Sequence, residues 1–289
     1  MYLEKINSPA DVKKLSIEEM PALAAEMREA LIVRASRHMG HVGPDLGFIE
    51  ATVALHAVFS SPEDKIIYDI SHQTYPHKML TGRREAYTDP AHYDDVSAYS
   101  NPKESPHDFF ELGHTSVSID LALGMAKARN LLGGTEKVIA VIGDGSLSGG
   151  EALEGLNTAG EFKGQFLILV NDNQMSIAEN HGGLYASLKA LRESNGTSEN
   201  NLFRAMGLDY RYEAAGNDIG ALIRALNAVK DVDHPLVLHI NTLKGKGYEP
   251  AETRKEEFHW HFPFDRESGE TLQDFRFEGE SYEEATAEF

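Results

Sequence analysis

The chain of 289 residues contains no cysteine. Disulfides, thiolate metal sites and cysteine nucleophiles are therefore excluded. No apolar run is long enough to cross a bilayer. The start, Met1-Tyr-Leu-Glu-Lys5, lacks the charge, apolar core and small-residue cleavage site of a secretory leader. No membrane contact is expected, and the cytoplasm is the expected compartment. Basic residues are scarce, with 27 Lys and Arg against 46 Asp and Glu and a net charge of −19. A nucleic-acid partner needs a basic surface to replace its counterions, so the charge argues against that class. An anionic ligand would need local positive charge from a bound cation, helix N-termini, Lys244 or histidines. There is no internal repeat and no low-complexity tract.

The stretch from Gly143 to Asn173 is the informative one. Val138–Ile142 and Phe166–Val170 are apolar runs of strand length, and each stops at a polar, turn-prone triplet. Between them, Gly149–Gly160 has helical spacing, with Leu153, Leu156 and Ala159 on one side. The pattern predicts a βαβ unit of a parallel sheet. It puts Asp144 and Asn173 at the carboxyl ends of neighbouring strands, where open α/β sheets bind ligands. A bare Gly143-Asp144-Gly145 is no more than a strand-to-loop turn. Joined to Asn171-Asp172-Asn173 one unit later, it suggests a cation and anion anchor. Asp144 offers a carboxylate, Asn173 an amide oxygen and Met175 a backbone carbonyl. Mg²⁺ is commonly held by a few such oxygens, with phosphate oxygens completing an octahedron. Backbone N–H groups at Gly145 and Ser146, opening a helix, suit the anion.

Ser16-Ile-Glu-Glu19 predicts a capping box ahead of a helix over Met20–Ser36. Met39–Gly47 reads as a glycine-rich loop carrying His41, followed by a buried helix over Phe48–Phe59. Lys65–Tyr68 reads as a strand ending at Asp69, with His72 just beyond. Arg83–Asp108, broken by prolines, reads as a long loop. Gly113-His114 is expected to open a helix with Ser116 and Ser118 in its first turn. Ser176–Asn201 is expected to be irregular, and Leu202–Gly207 the end of a helix. Asp218–Val229 reads as an amphipathic helix and Pro235–Ile240 as a strand. The segment from Glu249 onward is acidic and turn-rich.

Several longer motifs accompany the central unit. They are Asp69–Lys78 running into Leu80–Arg84, Gly113–Ser118, Asn171–Ile177 and Lys244–Glu252. Together they resemble the N-terminal, diphosphate-binding domain of the 1-deoxy-D-xylulose-5-phosphate synthases, within the transketolase superfamily. The resemblance spans about residues 30 to 265. It departs at Asp94-Asp95, where the family usually has Gly-Gly, and at Ser176–Asn201, which is shorter than the family's insertion.

The resemblance implies a three-layer α/β/α fold with a mainly parallel sheet. It implies a thiamin-diphosphate domain, placed at 16–265, while residues 1–15 read as a loose or docking N-terminal arm and 266–289 as an acidic linker. That linker leads toward a second domain, with Ser281–Phe289 resembling its first helical turns. Thiamin diphosphate and Mg²⁺ are the expected cofactors. Gly143, Asp144, Gly145, Ser146, Asn173 and Lys244 are the expected anchors of the diphosphate. Lys244 has the alternative of a surface lysine in a glycine-rich turn. Asp144, Asn173 and Met175 are the expected metal ligands. Met175 and Ile177 would wall the thiazolium, or serve as core.

The chain has 13 histidines, whose pKa near 6.5 suits proton transfer. His41, His72 and His114 stand in Gly- or Ser-flanked loops and match family positions, with hydrogen-bonded structural histidines as the alternative. His72 and His114 are also expected to touch the cofactor. His259 matches a family position near the substrate, and His77 is expected to be structural. A metal pair of His259 and His261 lacks a third ligand. The glutamate that tautomerises the aminopyrimidine lies, in the family, in the pyrimidine-binding domain. A pyrimidine-binding domain or subunit is therefore the expected partner, in a homo- or hetero-oligomer. The reaction implied is pyruvate plus glyceraldehyde 3-phosphate with loss of CO₂. Ketol transfer between sugar phosphates and a non-catalytic binding subunit are the alternatives.

Overall fold

In the computed structural model, which describes residues 1–275, 279 and 282–287, the apolar runs become strands of one parallel sheet. Strands β1 (Lys65–Tyr68), β2 (Val138–Gly143), β3 (Phe166–Asp172), β4 (Asp209–Glu213) and β5 (Pro235–Asn241) lie in the order β1-β2-β3-β5-β4. Every pairing in this sheet is parallel. The longer helices are α1 (Met20–Ala35), α2 (Gly43–Val58), α3 (Ser118–Leu132), α4 (Gly150–Ala159), α5 (Gly183–Glu193) and α6 (Ile219–Val229).

Successive residues of a strand point to opposite faces, and both faces of this sheet are covered. Val138, Ala140, Ile142, Ile168 and Val170 pack against Ile119 of α3, Leu156 of α4 and Leu188 of α5. Ile139, Val141, Leu167 and Leu169 pack against Phe48 and Leu55 of α2 and Leu222 and Leu226 of α6. Burial on both sides explains why these strands read as continuous apolar runs. The result is the expected three-layer α/β/α fold. Helix α1 lies outside α2, with Leu23, Met27 and Leu31 in a cluster with Leu46, Ile49 and Val53. Leu3, Ile6 and Val12 of the first fifteen residues are buried in that cluster. The Glu26 carboxylate accepts the N–H groups of Tyr2 (2.9 Å) and Leu3 (2.8 Å).

Several local expectations are corrected. Helix α2 begins at Gly43, inside the supposed glycine-rich loop. Those glycines serve close packing, since a Cβ on Gly47 would stand 2.8 Å from the Leu243 carbonyl oxygen. Helix α3 begins at Ser118, so His114 and Ser116 precede it. Ser176–Asn201 contains the 11-residue helix α5, which buries Leu188 and Leu191. Strand β4 has no counterpart in the sequence reading. Arg83–Asp108 contains short helical turns at Glu85–Thr88 and Pro90–His92. Asp94 and Asp95 pair with His38 (2.9 Å) and His92 (2.6 Å). Ahead of α1, Glu19 accepts the Ser16 N–H (2.8 Å), and the helix starts at Met20 as read. Tyr282–Ala287 is helical, while Ser281, Glu288 and Phe289 of that segment lie outside the described residues. No helix among the described residues is long and apolar enough to cross a membrane.

Candidate active site

Four neighbouring strands deliver residues to the carboxyl edge of the sheet. β1 leads into Asp69 and His72, β2 into Asp144, β3 into Asn173 and β5 into Lys244. A cavity of about 320 Å³ opens there. Gly143, Asp144, Gly145, Ser146 and Asn173 border it, as do Met175, Ile177, Lys244, His72 and His259. These are ten of the residues singled out from sequence.

The loops around the cavity are held by specific bonds. The buried Asp69 carboxylate accepts the backbone N–H groups of Ser116 (2.8 Å) and Ser118 (2.9 Å). It thus satisfies donors at the N-terminus of α3 that have no partner within the helix. The Thr115 hydroxyl donates to Ser146 Oγ (2.8 Å), and Ser116 Oγ donates to the Ser146 carbonyl (2.7 Å). Ile70, Ser71, Ser116 and Gln174 all adopt positive φ, between 56° and 76°. For a β-branched residue such as Ile70 this is a rare conformation. Backbone strain of this kind concentrates at functional sites. Gly145 allows two loops to meet, because a Cβ there would lie 3.0 Å from Ser176 Cα.

Asp144 is 1% exposed. Its Oδ2 accepts from Asn180 Nδ2 at 2.7 Å. Burial, and then the neighbouring Asp172 carboxylate, push the Asp144 pKa well above the usual range. Burial acts in the same sense on Asp172, but His239 and Arg192 outweigh it and hold that carboxyl low. Asn173 Oδ1 accepts the Met175 N–H (3.0 Å), turning the chain just beyond β3.

Lys244 is 1% exposed, which corrects the surface alternative. Its ammonium donates to the carbonyls of Ser176 (2.8 Å) and Ile177 (3.2 Å). Burial lowers its pKa to about 8.

Three histidines form a cluster at the cavity. Ring centroids are 4.9 Å apart for His41 and His72, 5.2 Å for His72 and His259, and 5.6 Å for His41 and His259. His41 does not border the cavity itself but backs the two that do. A short antiparallel ribbon, Gly40–His41 against Trp260–His261, brings the distant segments together. The buried Nδ1 atoms of all three have no hydrogen-bond partner among the described residues. Burial lowers His41 to about 4 and His259 to about 3, and drives His72 well below its ordinary value. All three are therefore neutral near pH 7.

His114 is exposed, bonds the Thr115 carbonyl (2.8 Å) and does not border the cavity; its neighbour Thr115 does. His77 is buried between His56 (2.9 Å) and Asp108 (3.2 Å), a structural role as read. His261 is engaged with Glu257 (3.1 Å) and the Phe262 carbonyl (2.6 Å). Sequence reasoning missed Asp69, Thr115, Asn171 and Ser176 as parts of the site. Asp69 at least had a signal, as a carboxylate directly after a strand.

Among the described residues, no three His, Asp or Glu side chains converge into a metal-holding group. A cation here would combine one carboxylate with neutral oxygens, a set suited to a hard, oxygen-preferring ion.

The family model for 1-deoxy-D-xylulose-5-phosphate synthase matches residues 3–200. The chain is 40% identical over 307 residues to "1-deoxy-D-xylulose-5-phosphate synthase 2" of Geobacter sulfurreducens, covering 94% of this chain and 49% of that protein. It is 42% identical over 307 residues to the 1-deoxy-D-xylulose-5-phosphate synthase of Porphyromonas gingivalis, covering 93% and 48% respectively. The chain thus spans about half the length of the curated relatives it matches. Among solved structures, the transketolase of Campylobacter jejuni superposes with a TM-score of 0.66 at 18% identity, covering 86% of this chain and 41% of that one. The transketolase of Leishmania mexicana gives 0.65 at 19%, covering 86% and 39%. At such identities the likeness shows the fold alone. Sequence similarity at the level of the first two comparisons shows more: the chain belongs to the 1-deoxy-D-xylulose-5-phosphate synthase family.

Proposed function

We propose that this chain is the diphosphate-binding half of a thiamin-diphosphate- and Mg²⁺-dependent transferase. The reaction joins the two-carbon unit of pyruvate, with loss of CO₂, to glyceraldehyde 3-phosphate. The observation that carries this reading is a meeting of two groups at one cavity. Asp144 and Asn173 stand there at adjacent strand ends, beside buried histidines whose Nδ1 atoms have no hydrogen-bond partner among the described residues.

The residues fit the cofactor. Asp144 is buried beside an anionic neighbour, an environment that a divalent cation would reverse. The close approach at Gly145 leaves no room for a side chain. When bound, thiamin diphosphate supplies a nucleophilic carbon and an electron sink for the two-carbon unit. Asp144, Asn173 and the Met175 carbonyl would hold Mg²⁺. The Gly143–Ser146 backbone and the Lys244 ammonium would neutralise the diphosphate, and Met175 and Ile177 would wall the ring. His72 and His259, neutral at pH 7, would exchange protons with substrate oxygens, with His41 packed behind them; a contact of His114 with the cofactor would need a different placement of its exposed side chain.

In this reading residues 16–265 are the cofactor domain, 1–15 its arm, and 266–289 an acidic linker and the start of a second domain. A pyrimidine-binding domain or subunit supplies the glutamate for the aminopyrimidine. Two observations support this partner. The chain spans about half of its relatives, and Ile177, which lines the cavity, is 57% exposed.

The test uses the chain as it assembles in its source cells, purified with any co-purifying polypeptide and loaded with thiamin diphosphate and Mg²⁺. CO₂ release from labelled pyruvate that depends on glyceraldehyde 3-phosphate is the expected result. Ketol transfer from a ketose phosphate without CO₂ release would overturn it in favour of transketolase chemistry. Retained cofactor with neither reaction would mark a non-catalytic binding subunit.

A further inference from the structure

We propose that Arg192 and His239 are positioning residues for the cation site: they clasp Asp172 and thereby hold the loop that carries Asn173 and Met175. The inference rests on the cation role proposed above for that loop.

The chain leaves β3 at Asp172 and follows the cavity wall through Asn173, Met175, Ser176 and Ile177. It then folds into α5, whose last turn returns Arg192 to the Asp172 carboxylate. The ion pair closes this excursion at its neck. From the neighbouring strand β5, His239 Nε2 lies 2.9 Å from the same Asp172 oxygen. His239 Nδ1 in turn lies 2.8 Å from the Tyr210 hydroxyl on β4. The other Asp172 oxygen accepts the Gln174 N–H at 3.1 Å. Gln174 is the positive-φ residue, at 68°, between Asn173 and Met175. Both carboxylate oxygens and both imidazole nitrogens are thus engaged, and Asp172 and His239 are 0% exposed. A fully satisfied buried network of this kind fixes orientation.

The loop needs such a hold. Sheet pairing on β3 reaches only as far as Asp172 and Asn241. A second cavity of about 520 Å³ lies against the same loop, bordered by Asn173, Met175 and Arg192. The loop therefore borders both cavities. At its far end Asn180 donates to Asp144 and Lys244 donates to two loop carbonyls. The Asp172 clasp fixes the near end, where Asn173 is.

The test compares Arg192→Met, Arg192→Lys and His239→Gln with the unmodified chain. Three quantities are read: hydrogen exchange of the amides from 173 to 182, Mn²⁺ affinity by electron paramagnetic resonance with thiamin diphosphate present, and thermal stability. Arg192→Met is expected to speed exchange in the loop and to weaken Mn²⁺ binding roughly tenfold, the usual scale for outer-shell partners of a metal site. The thermal midpoint should fall by only a few degrees. Lysine at 192 should recover part of both losses. His239→Gln should reproduce the affinity loss if the arginine variant fails to fold. Wild-type exchange and wild-type Mn²⁺ affinity in Arg192→Met and His239→Gln would overturn the proposal. Faster loop exchange in the variants, with no Mn²⁺ binding even by the unmodified chain, would sink the cofactor reading and the cation role with it, and leave the clasp as a purely conformational device.

Discussion

The imidazoles of His41 and His259 meet edge to face, 5.6 Å between centroids and at 86°, although one precedes the first strand of the sheet and the other follows the last. The ribbon of Gly40–His41 and Trp260–His261 makes the meeting possible. His72 closes the triangle from the end of β1. A neutral, desolvated imidazole cluster results, and it has consequences for stability as well as chemistry.

Acid should destabilise the protein through this cluster. His41 titrates at about 4 when folded, against 6.5 for the ordinary value, because burial penalises its charged form. A group whose folded pKa is depressed favours the folded state fully above its unfolded value. That contribution is lost as pH falls toward the folded value. Between pH 6.5 and 4, each such histidine should contribute a slope of up to about 1.4 kcal/mol per pH unit. Urea unfolding across that window should show stability falling with pH, and His41→Gln should flatten the slope. Equal slopes for the two proteins would contradict the account.

Asp69→Ala should be costly although Asp69 need not touch a ligand. It removes two backbone hydrogen bonds at the start of α3 and leaves the buried Ser116 and Ser118 N–H groups without the acceptor they have now. The expected loss is about 3 kcal/mol, read as a shifted denaturant midpoint. A midpoint within error of wild type would show that water or another acceptor replaces the carboxylate.

Two glycine substitutions should have opposite signs. Alanine at Gly47 would push into the Leu243 carbonyl at 2.8 Å and Lys244 Cα at 3.2 Å. It should destabilise by about 1–3 kcal/mol and weaken cofactor binding through the displaced lysine. Alanine at Gly124, in the middle of α3, meets nothing within 4 Å. It should stabilise by about 0.5–1 kcal/mol. Thermal melts of the two variants decide the matter: an unchanged or raised midpoint for Gly47→Ala would refute the packing role given to Gly47, and a lowered one for Gly124→Ala would refute the free space at Gly124.

The parts legible in the sequence were those with local causes. β2, β3 and β5 announce themselves because burial on both faces demands unbroken apolar runs. Asp144 and Asn173 follow from where those runs stop. Strand β4, Asp209-Tyr-Arg-Tyr-Glu213, was illegible because it is an edge strand whose arginine points outward and whose pattern is mostly polar. Helix α5 hid in a segment rich in Gly, Asn and Ser, and buries little beyond Leu188 and Leu191. The early start of α2 was masked by Gly43 and Gly47, whose purpose is contact with the Lys244 segment. Contacts across the fold, such as Arg192 with Asp172 or Lys244 with the Ser176 carbonyl, have no local signature at all. His114 was singled out for its flanking residues, but its side chain faces solvent while Thr115 borders the cavity.

In the proposed site Asp144 anchors a cation that in turn anchors a diphosphate. The most direct measurement is isothermal titration of thiamin diphosphate into the chain with and without Mg²⁺, repeated with Asp144→Ala and with circular dichroism to confirm folding. Binding is expected to require Mg²⁺ and to disappear in the folded alanine variant. Binding that ignores Mg²⁺, or that survives unchanged in Asp144→Ala, would contradict that anchoring role.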